Sequence, residues 1–269
     1  KTMEKRIFHD LAEAGNRYWW NQGRADLIRR LWKRHGAPRA GHRPRILDVG
    51  CASGGTLGSL AGLGEAWGFD RDPEALAWCR RAGHPPERLV TGDAEKPFPF
   101  PDARFDLVSA VEILEHLGSP LGALREIRRV LTKRGLLVVT VPADPRLWSD
   151  RDLRLGHRRR YRLPELVALL READFRVVRA SYANVFYYWP YRCLLAWKRR
   201  REPRGVPDVS RNTFPVPAPV SAVLTAWLKL ENIWALGPGW PFGVSVFGAA
   251  VRTDAELPRP TGGDSCTED

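Results

Sequence analysis

Hydrophobic and polar positions follow two alternating patterns along the chain. Short apolar runs, typical of buried strands, occur at residues 45–49, 66–69, 88–90, 105–110, 136–141, 175–182 and 242–252. Between them, apolar residues recur every three or four positions, which predicts helices over residues 57–63, 73–82, 120–131, 164–173 and 219–236. Residues 4–35 predict two more helices, and residues 142–162 predict a long loop. Strands that alternate with helices favour an α/β fold with a mainly parallel sheet.

The stretch from residue 45 to residue 72 carries the clearest chemical signal. A strand containing Asp48 runs into a turn of small residues, GCASGG, and then into a helix for which Thr56 is the expected cap. The next strand ends at Asp70, 22 positions after Asp48, close to the roughly 20 expected for an acid that binds a ribose. Small residues let the backbone approach a ligand, and an acid at the strand end can accept both ribose hydroxyls. The stretch therefore predicts a nucleotide-type site.

Several segments resemble one enzyme family. The turn reads D-V-G-C-A-S-G, which resembles the first motif, acid-x-G-x-G-x-G, of class I S-adenosylmethionine-dependent methyltransferases, with Ala52 in place of the middle glycine. Asp93-Ala94 after the third strand, FDLVSAVEILEHL over the fourth and ALREIRRVLTKRGLLVVTVP into the fifth are also similar to the small-molecule, methyltransferase type 11-like branch. The resemblance covers roughly residues 45–182 and 242–252. It implies a Rossmann-like, seven-stranded, mostly parallel sheet with helices on both faces, and S-adenosylmethionine as cofactor with S-adenosylhomocysteine as product.

The resemblance also implies which residues hold the cofactor. In the family, an acid at the position of Asp93 holds the adenine amino group and the next residue covers the ring. Residues after the fourth strand face the methionine end of the cofactor and the substrate. The implied cofactor-binding set is Asp48, Gly50, Cys51, Ala52, Gly54, Asp70, Arg71, Asp93, Ala94, Val111, Glu112 and His116.

Methyl transfer from a sulfonium needs a base only when the nucleophile is a poorly acidic hydroxyl or amine. Two histidines, His116 and His157, are the candidates for that catalytic role. Glu112 and Glu115 are not predicted to form an acid/base pair. Aromatic residues beside arginines predict a substrate pocket, and arginines of the long loop could clamp an oxyanion. The candidate substrate residues are Tyr18, Trp19, Trp20, Arg24, Trp148, His157, Arg158, Arg160 and Tyr187.

Charge and cysteine content narrow the partners and the compartment. The 43 Lys and Arg residues against 31 Asp and Glu residues give a net charge of +12, which favours an anionic partner. The four cysteines lack disulfide or metal spacing, so a reducing compartment and no metal are expected. Residues 1–11 show no apolar signal segment, and apolar runs free of charge stay below the ~18 residues of a spanning helix. A cytoplasmic protein is expected, with peripheral contact at the inner face of the membrane as an option.

The domain prediction has five parts. Residues 1–44 form an N-terminal helical cap, 45–182 the cofactor-binding core, 183–241 a helical insertion between strands six and seven, 242–253 the final core strand, and 254–269 a disordered tail. The insertion combines aromatic residues with a basic cluster, Lys198-Arg199-Arg200-Arg201. A lid, a dimer contact and a membrane contact all fit it. The oligomeric state stays open.

The predicted function is methyl transfer from S-adenosylmethionine by in-line displacement to a small-molecule or lipid-linked or sugar-linked acceptor. O-methylation is favoured, in natural-product or surface-glycan biosynthesis. An RNA methyltransferase is less favoured, because the segment after the fourth strand reads S-A-V-E and lacks the Asn/Asp-Pro-Pro-aromatic motif of enzymes that methylate base amino groups. A catalytically silent S-adenosylmethionine-binding protein stays open as well. A nicotinamide oxidoreductase is disfavoured, because such an enzyme expects G-x-G-x-x-G, which this turn does not match.

Overall fold

A computed structural model describes residues 18–37, 41–201 and 216–253 of the chain. The strands are β1 (Arg45–Val49), β2 (Glu65–Asp70), β3 (Leu89–Thr91), β4 (Phe105–Val111), β5 (Leu131–Pro142), β6 (Phe175–Ala183) and β7 (Ser245–Arg252). The α-helices are α1 (Trp19–His35), α2 (Leu57–Leu60), α3 (Pro73–Arg81), α4 (Pro120–Val130), α5 (Asp150–Leu155), α6 (Leu163–Glu172), α7 (Tyr188–Arg201) and α8 (Ala218–Leu236). Single 3₁₀ turns cover Pro86–Arg88, Leu114–His116 and Pro145–Leu147.

The strands form one sheet in the order β3-β2-β1-β4-β5-β7-β6. Neighbouring strands from β3 to β5 pair in parallel, and β7 pairs antiparallel with both β5 and β6. The strand order reverses between β1 and β4, so the connections after these two strands leave in opposite directions. A crevice opens at the carboxyl ends of the strands at such a reversal, and ligands of α/β sheets bind there. The predicted fold class, a Rossmann-like seven-stranded sheet, is confirmed.

Helices cover both faces of the sheet, and successive residues of each strand supply the two cores. Leu47 and Val49 face one core, which also contains buried residues of α4 and α6. Ile46 faces the other core, which contains residues of α1, α2, α3 and α8. This burial on both faces explains why the strands read as continuous apolar runs.

Three local predictions are wrong, each for a reason visible in the chain. The helix after the turn has a single turn, and Thr56 makes no side-chain capping bond; glycines at 62 and 64 stop its extension. The predicted loop 142–162 contains α5, which the Ser149–Asp152 capping box starts and the left-handed Gly156 ends. Strand β7 begins at Ser245 and not near residue 242, because residue 243 crosses closely over the backbone of Ala183.

The N-terminal helix and the insertion pack against each other. Asn232 of α8 donates to the carbonyl oxygen of Gly23 at 2.9 Å and to the Asp26 carboxylate at 3.0 Å. Gly23 is needed there, because a Cβ at this position would lie 2.4 Å from a methyl carbon of Leu228. The predicted first helix and disordered tail, and most of the proline-rich segment of the insertion, lie outside the described residues. The five-part domain division stays a prediction.

No described helix combines the length and the apolar character that a membrane crossing requires.

Candidate active site

The turn after β1 is bent by left-handed backbone at three positions. Gly50, Ala52 and Gly54 have φ values of 72°, 45° and 86°. The amides of Gly50 and Cys51 both donate to the Phe69 carbonyl, at 2.8 and 3.3 Å, which ties the turn to β2. Glycine adopts this backbone freely, whereas alanine does so at a cost of about 1–2 kcal/mol. Ala52 is therefore held in a strained conformation by the bonds around it.

Asp70, at the end of β2, is fixed by two backbone amides. One carboxylate oxygen accepts from the Ala52 amide at 2.9 Å and the other from the Asp72 amide at 2.9 Å. Burial raises the pKa of Asp70, and the two amide hydrogen bonds oppose that change. The carboxylate is thus oriented at the crevice beside the turn. Arg71, the next residue, is exposed.

Asp48 lies inside β1 and is almost fully buried. One oxygen accepts a 2.6 Å hydrogen bond from the Ser109 hydroxyl of β4. The other oxygen is buried and receives no hydrogen bond from the described residues. Burial raises the pKa of Asp48 from its usual 3.8 to about 7, although the Ser109 bond acts in the opposite direction. The second carboxylate oxygen of Asp48 is therefore available to accept a hydrogen bond at the carboxyl end of β1.

The predicted adenine-binding pair lies in the loop after β3. One carboxylate oxygen of Asp93 accepts from the amide of Glu95 at 3.0 Å, which leaves the other oxygen uncommitted by that bond. Ala94 is buried in the core on the same side as Phe69 and Phe98. The loop therefore stands next to the carboxyl end of β2, as the resemblance implied.

The end of β4 turns sharply at Glu112, which has a left-handed φ of 52°. Its amide donates to the Thr140 carbonyl at 2.8 Å, and its carboxylate lies 3.0 Å from the Arg24 guanidinium and 3.2 Å from the Thr140 hydroxyl. Strained backbone of this kind concentrates at functional sites. Glu115, on the 3₁₀ turn that follows, is fully buried.

Glu115 has an unusual environment. Neither carboxylate oxygen accepts a hydrogen bond from any described residue. Burial raises its pKa well above the usual value, and the neighbouring charge of Glu112 raises it further. The Nε2 atom of His157 is 3.9 Å from the Glu115 carboxylate, beyond hydrogen-bonding distance.

The two predicted catalytic histidines, 41 positions apart in the chain, come together. Their rings lie edge to face with centroids 4.9 Å apart. His157 Nδ1 lies 2.9 Å from the buried Asp152 carboxylate, which also accepts two bonds from Arg160 at 2.8 and 3.0 Å. Burial, and then the proximity of His157, lower the pKa of His116 to about 4. Hydrogen bonds from His157 and Arg160 outweigh the effect of burial on Asp152 and lower its pKa.

An aromatic wall stands beside the end of β4 and joins α1 to the insertion. We define it by Tyr18, Trp19, Trp20, Phe186 and Tyr187, whose successive ring centroids lie 5.1–6.4 Å apart. The Arg24 guanidinium, which pairs with Glu112, lies 5.4 Å from the Trp20 ring centroid. Five predicted substrate residues are therefore brought together, next to the Glu112 carboxylate.

Comparison with known proteins adds the family. A solved S-adenosylmethionine-dependent methyltransferase from Archaeoglobus fulgidus shares the fold with a TM-score of 0.51 and 18% identity, over 83% of this chain and 90% of that one. Residues 47–139 match the family model described as "Methyltransferase domain". Residues 47–139 therefore match a methyltransferase domain, and the chain has the class I S-adenosylmethionine-dependent methyltransferase fold.

Curated relatives agree with this methyltransferase domain. A probable S-adenosylmethionine-dependent methyltransferase of Mycobacterium tuberculosis is 31% identical over 161 residues, which cover 59% of this chain and 56% of the relative. The demethylmenaquinone methyltransferase of Tropheryma whipplei is 35% identical over 130 residues, covering 46% and 52%. The matched part of the chain thus spans little more than half the length of these relatives.

The cofactor that this fold and family imply is S-adenosylmethionine, and the residues present fit it. The methyltransferase domain offers the narrow turn at residues 50–54, the oriented carboxylate of Asp70, and the buried Asp48 oxygen that receives no hydrogen bond from the described residues. A ligand with hydroxyl and ammonium donors can satisfy such acceptors. We expect Asp48, Asp70 and Asp93 to hold the polar groups of the cofactor.

Besides His157, three predicted substrate residues lie away from the aromatic wall and its neighbour Arg24. Arg160 donates to Asp152 and to the Ala143 carbonyl, so its guanidinium is used inside the protein and the basis for predicting a substrate clamp is lost. Arg158 is exposed, and its amide donates to the Glu115 carbonyl at 2.9 Å. Trp148 is half-buried, and its carbonyl accepts from Arg199 of α7.

Sequence reasoning missed two residues that matter for this site. Phe186 completes the aromatic wall, and only its place in an aromatic cluster hinted at this role. Asp152 orients His157 from five positions away, and its capping-box spacing after Ser149 was the available signal.

Proposed function

We propose that the protein transfers the methyl group of S-adenosylmethionine to an oxygen of a small-molecule acceptor. The observation that carries the proposal is the linkage of the turn to Asp70, in which the Ala52 amide donates to the carboxylate at the crevice between β1 and β4. The matched relatives include an enzyme named for demethylmenaquinone, which supports a small molecule as acceptor. A role in natural-product or surface-glycan biosynthesis stays a prediction.

When bound, S-adenosylmethionine supplies a methyl carbon on a positively charged sulfur, a leaving group that needs no further activation. The residues of the chain then have to align the acceptor and exclude water. The aromatic wall, with Trp19 buried, offers an apolar surface for a flat or hydrophobic acceptor. Arg24, held between Glu112 and Trp20, adds a positive charge at its edge.

A hydroxyl acceptor must lose its proton, and the two predicted histidines are the candidate groups to take it. His116, with a pKa of about 4, is too weak a base to take a proton from a hydroxyl at neutral pH. His157 is oriented by Asp152, with Nε2 directed toward Glu115 and not toward Asp152. The geometry therefore favours His157 over His116 among the two predicted bases.

The test is methyl transfer from isotopically labelled S-adenosylmethionine to a panel of small phenols, quinols and sugar alcohols, followed by mass spectrometry. We expect label on an oxygen of at least one phenol or quinol. The Trp19→Ala variant, which removes the buried part of the wall, should lose transfer while still binding S-adenosylhomocysteine. The exposed Leu153→Ala variant serves as the control. Labelled product on carbon or nitrogen only would contradict O-methylation.

We also propose that the insertion contacts an anionic membrane surface. One side of α8 exposes an apolar stripe, which consists of Val220, Val223, Trp227, Leu230, Ile233 and Trp234. Arg30, Lys33 and Arg34 of α1 line a surface groove with Ile233 and Leu236, so positive charge borders the stripe. Apolar and aromatic side chains next to cations suit an interface with anionic headgroups.

Vesicle flotation tests this contact. We expect the protein to float with phosphatidylglycerol-containing vesicles at low salt and to float less as salt rises. Leu230→Glu, at a side chain that is 63% exposed, should abolish flotation, whereas Leu153→Glu on α5, at 42% exposure, should not. A protein that stays in solution, or that forms dimers through the stripe, would contradict the membrane contact.

A further inference from the structure

Three side chains from the turn after β4 and the loop after α5 form a compact set of metal-ligating groups. Glu115, His116 and His157 each offer one ligand atom, and these atoms all lie within 4.8 Å of one another. Two ligand atoms that each lie about 2.1 Å from one ion are at most about 4.2 Å apart. A pair of ligand atoms separated by nearly 4.8 Å would therefore have to approach by about 0.6 Å when the ion binds. The His157 Nε2 to Glu115 distance, 3.9 Å, already satisfies that bound.

The Glu115 carboxylate supplies the second, independent observation. It is fully buried, and among the described residues neither oxygen accepts a hydrogen bond of ordinary geometry; its polar neighbours are its own backbone amide and the Glu112 carboxyl. The guanidinium of Arg24 is engaged 3.0 Å from Glu112. A buried carboxylate without donors is costly unless a cation compensates it. One of its oxygens and one nitrogen of each imidazole lie within 4.8 Å of one another.

The groups behind His157 direct its second nitrogen toward the cluster. Asp152 lies 2.9 Å from His157 Nδ1 and occupies that nitrogen, so Nε2 is the nitrogen that lies on the Glu115 side. Asp152 is itself fixed by Arg160 and by the amide of Ser149. Carboxylate or carbonyl partners behind histidines are the usual outer shell of protein metal sites.

We infer that Glu115, His116 and His157 bind a divalent first-row transition-metal ion. Imidazole nitrogens favour Zn²⁺, Fe²⁺, Ni²⁺ or Cu²⁺ over the oxygen-preferring Mg²⁺ and Ca²⁺, and the Glu115 carboxylate is a ligand type that also suits Mn²⁺. Three protein ligands leave open positions for water or substrate. This departs from the expectation of no metal, which rested on cysteine spacing and did not consider histidines from separate loops.

The catalytic use of the ion rests on the proposed function, whereas the site itself does not. An acceptor hydroxyl at an open position becomes more acidic and gives its proton to water. The acceptor oxygen then forms the bond to the methyl carbon while the carbon–sulfur bond breaks, and the sulfur leaves as a neutral thioether. The two histidines act as ligands in this arrangement, which replaces the general-base role predicted from sequence and favoured for His157 under the proposed function.

The decisive experiment is calorimetric titration of tag-free, EDTA-treated and dialysed protein with Mn²⁺ and with Zn²⁺, with Mn²⁺ binding followed in parallel by electron paramagnetic resonance. We expect one ion per chain and a metal-dependent rise in melting temperature. Glu115→Gln and His157→Gln should lose the ion. Asp152→Asn should weaken its binding about 10–100-fold, as an outer-shell change does. The exposed His42→Gln is the matched control and should bind as the wild type does.

The outcomes separate the metal site from methyl transfer. If the wild type binds neither ion, or if Glu115→Gln and His157→Gln both bind it unchanged, the inference is overturned. A parallel titration with S-adenosylhomocysteine reports the cofactor site separately, because that site rests on Asp48 and Asp70. Of the three metal-binding residues only His116 is also predicted to face the cofactor, and Glu115→Gln and His157→Gln leave it unchanged. Metal binding without S-adenosylhomocysteine binding would support the metal site and contradict the proposed function.

Discussion

Stability against pH should reveal the buried carboxyl of Asp48. Its pKa in the folded protein is about 7 against a usual 3.8, a raise caused first by burial. A difference of about three pKa units, at about 1.4 kcal/mol each, amounts to about 4 kcal/mol. A raised folded-state pKa means that the native state keeps a proton that the unfolded chain releases. This contribution is therefore complete below about pH 4 and is lost progressively as the pH rises to about 7.

The Asp48→Asn variant removes the titrating group while keeping its shape. We expect wild-type and variant stabilities to converge near pH 4 and to diverge with rising pH, until the variant is more stable by up to about 4 kcal/mol at pH 8. Urea unfolding of the ligand-free protein, measured at half-unit steps between pH 4 and pH 8.5, gives both curves.

Ser109 provides a second variant in the same pair. Its hydroxyl donates to Asp48 at 2.6 Å and lowers the pKa of that carboxyl. Ser109→Ala should therefore extend the pH-dependent loss of stability above pH 7. Wild-type and Asp48→Asn curves that stay parallel from pH 4 to pH 8 would show that Asp48 is not buried in the way described.

Two further stability predictions concern the turn and the helix contact. Ala52→Gly should raise the unfolding free energy by about 1 kcal/mol, or the melting temperature by about 2–4 °C, because glycine adopts the left-handed backbone of this position without strain. Ala168→Gly, at an exposed position of helix α6, should instead lower the unfolding free energy by about 0.5–1 kcal/mol. Equal changes at both sites would refute the backbone strain at Ala52. Asn232→Ala should cost about 1–3 kcal/mol because the Gly23 carbonyl loses its buried donor, whereas the exposed Ile233→Ala should stay within about 0.5 kcal/mol in the same denaturant assay.

The fold and the cofactor side of the site follow from local sequence. A strand buried on both faces reads as an unbroken apolar run, so β1 could be bounded from residue 45 to residue 49 without further information. Asp48 and Asp70 are fixed by the strands that contain them, and their positions follow once the strands are known. Such features depend on neighbours within about ten residues, which a sequence pattern records directly.

The acceptor side depends on contacts between distant segments, which a single sequence does not record. His116 and His157 were each singled out, but their edge-to-face contact requires the loop after β5 to fold back over the end of β4. Glu115 was set aside from sequence because its residue type says nothing about missing hydrogen-bond donors. Arg160 resembled an exposed clamp within an arginine run, yet its guanidinium is directed inward to Asp152.

The most direct test of S-adenosylmethionine binding is calorimetric titration of the wild type and of Asp70→Asn with S-adenosylhomocysteine. The carboxylate of Asp70 is oriented by the Ala52 and Asp72 amides, so its neutral replacement should weaken binding by about 1–3 kcal/mol, the cost of unmatched buried hydrogen-bonding groups. Asp102→Asn, at a side chain that is 74% exposed, serves as the control and should bind like the wild type. We predict that one molecule of S-adenosylhomocysteine binds per wild-type chain and that folded Asp70→Asn binds it about 10–100-fold more weakly. A wild-type protein that binds no S-adenosylhomocysteine, or a folded Asp70→Asn variant of unchanged affinity, would contradict the cofactor site.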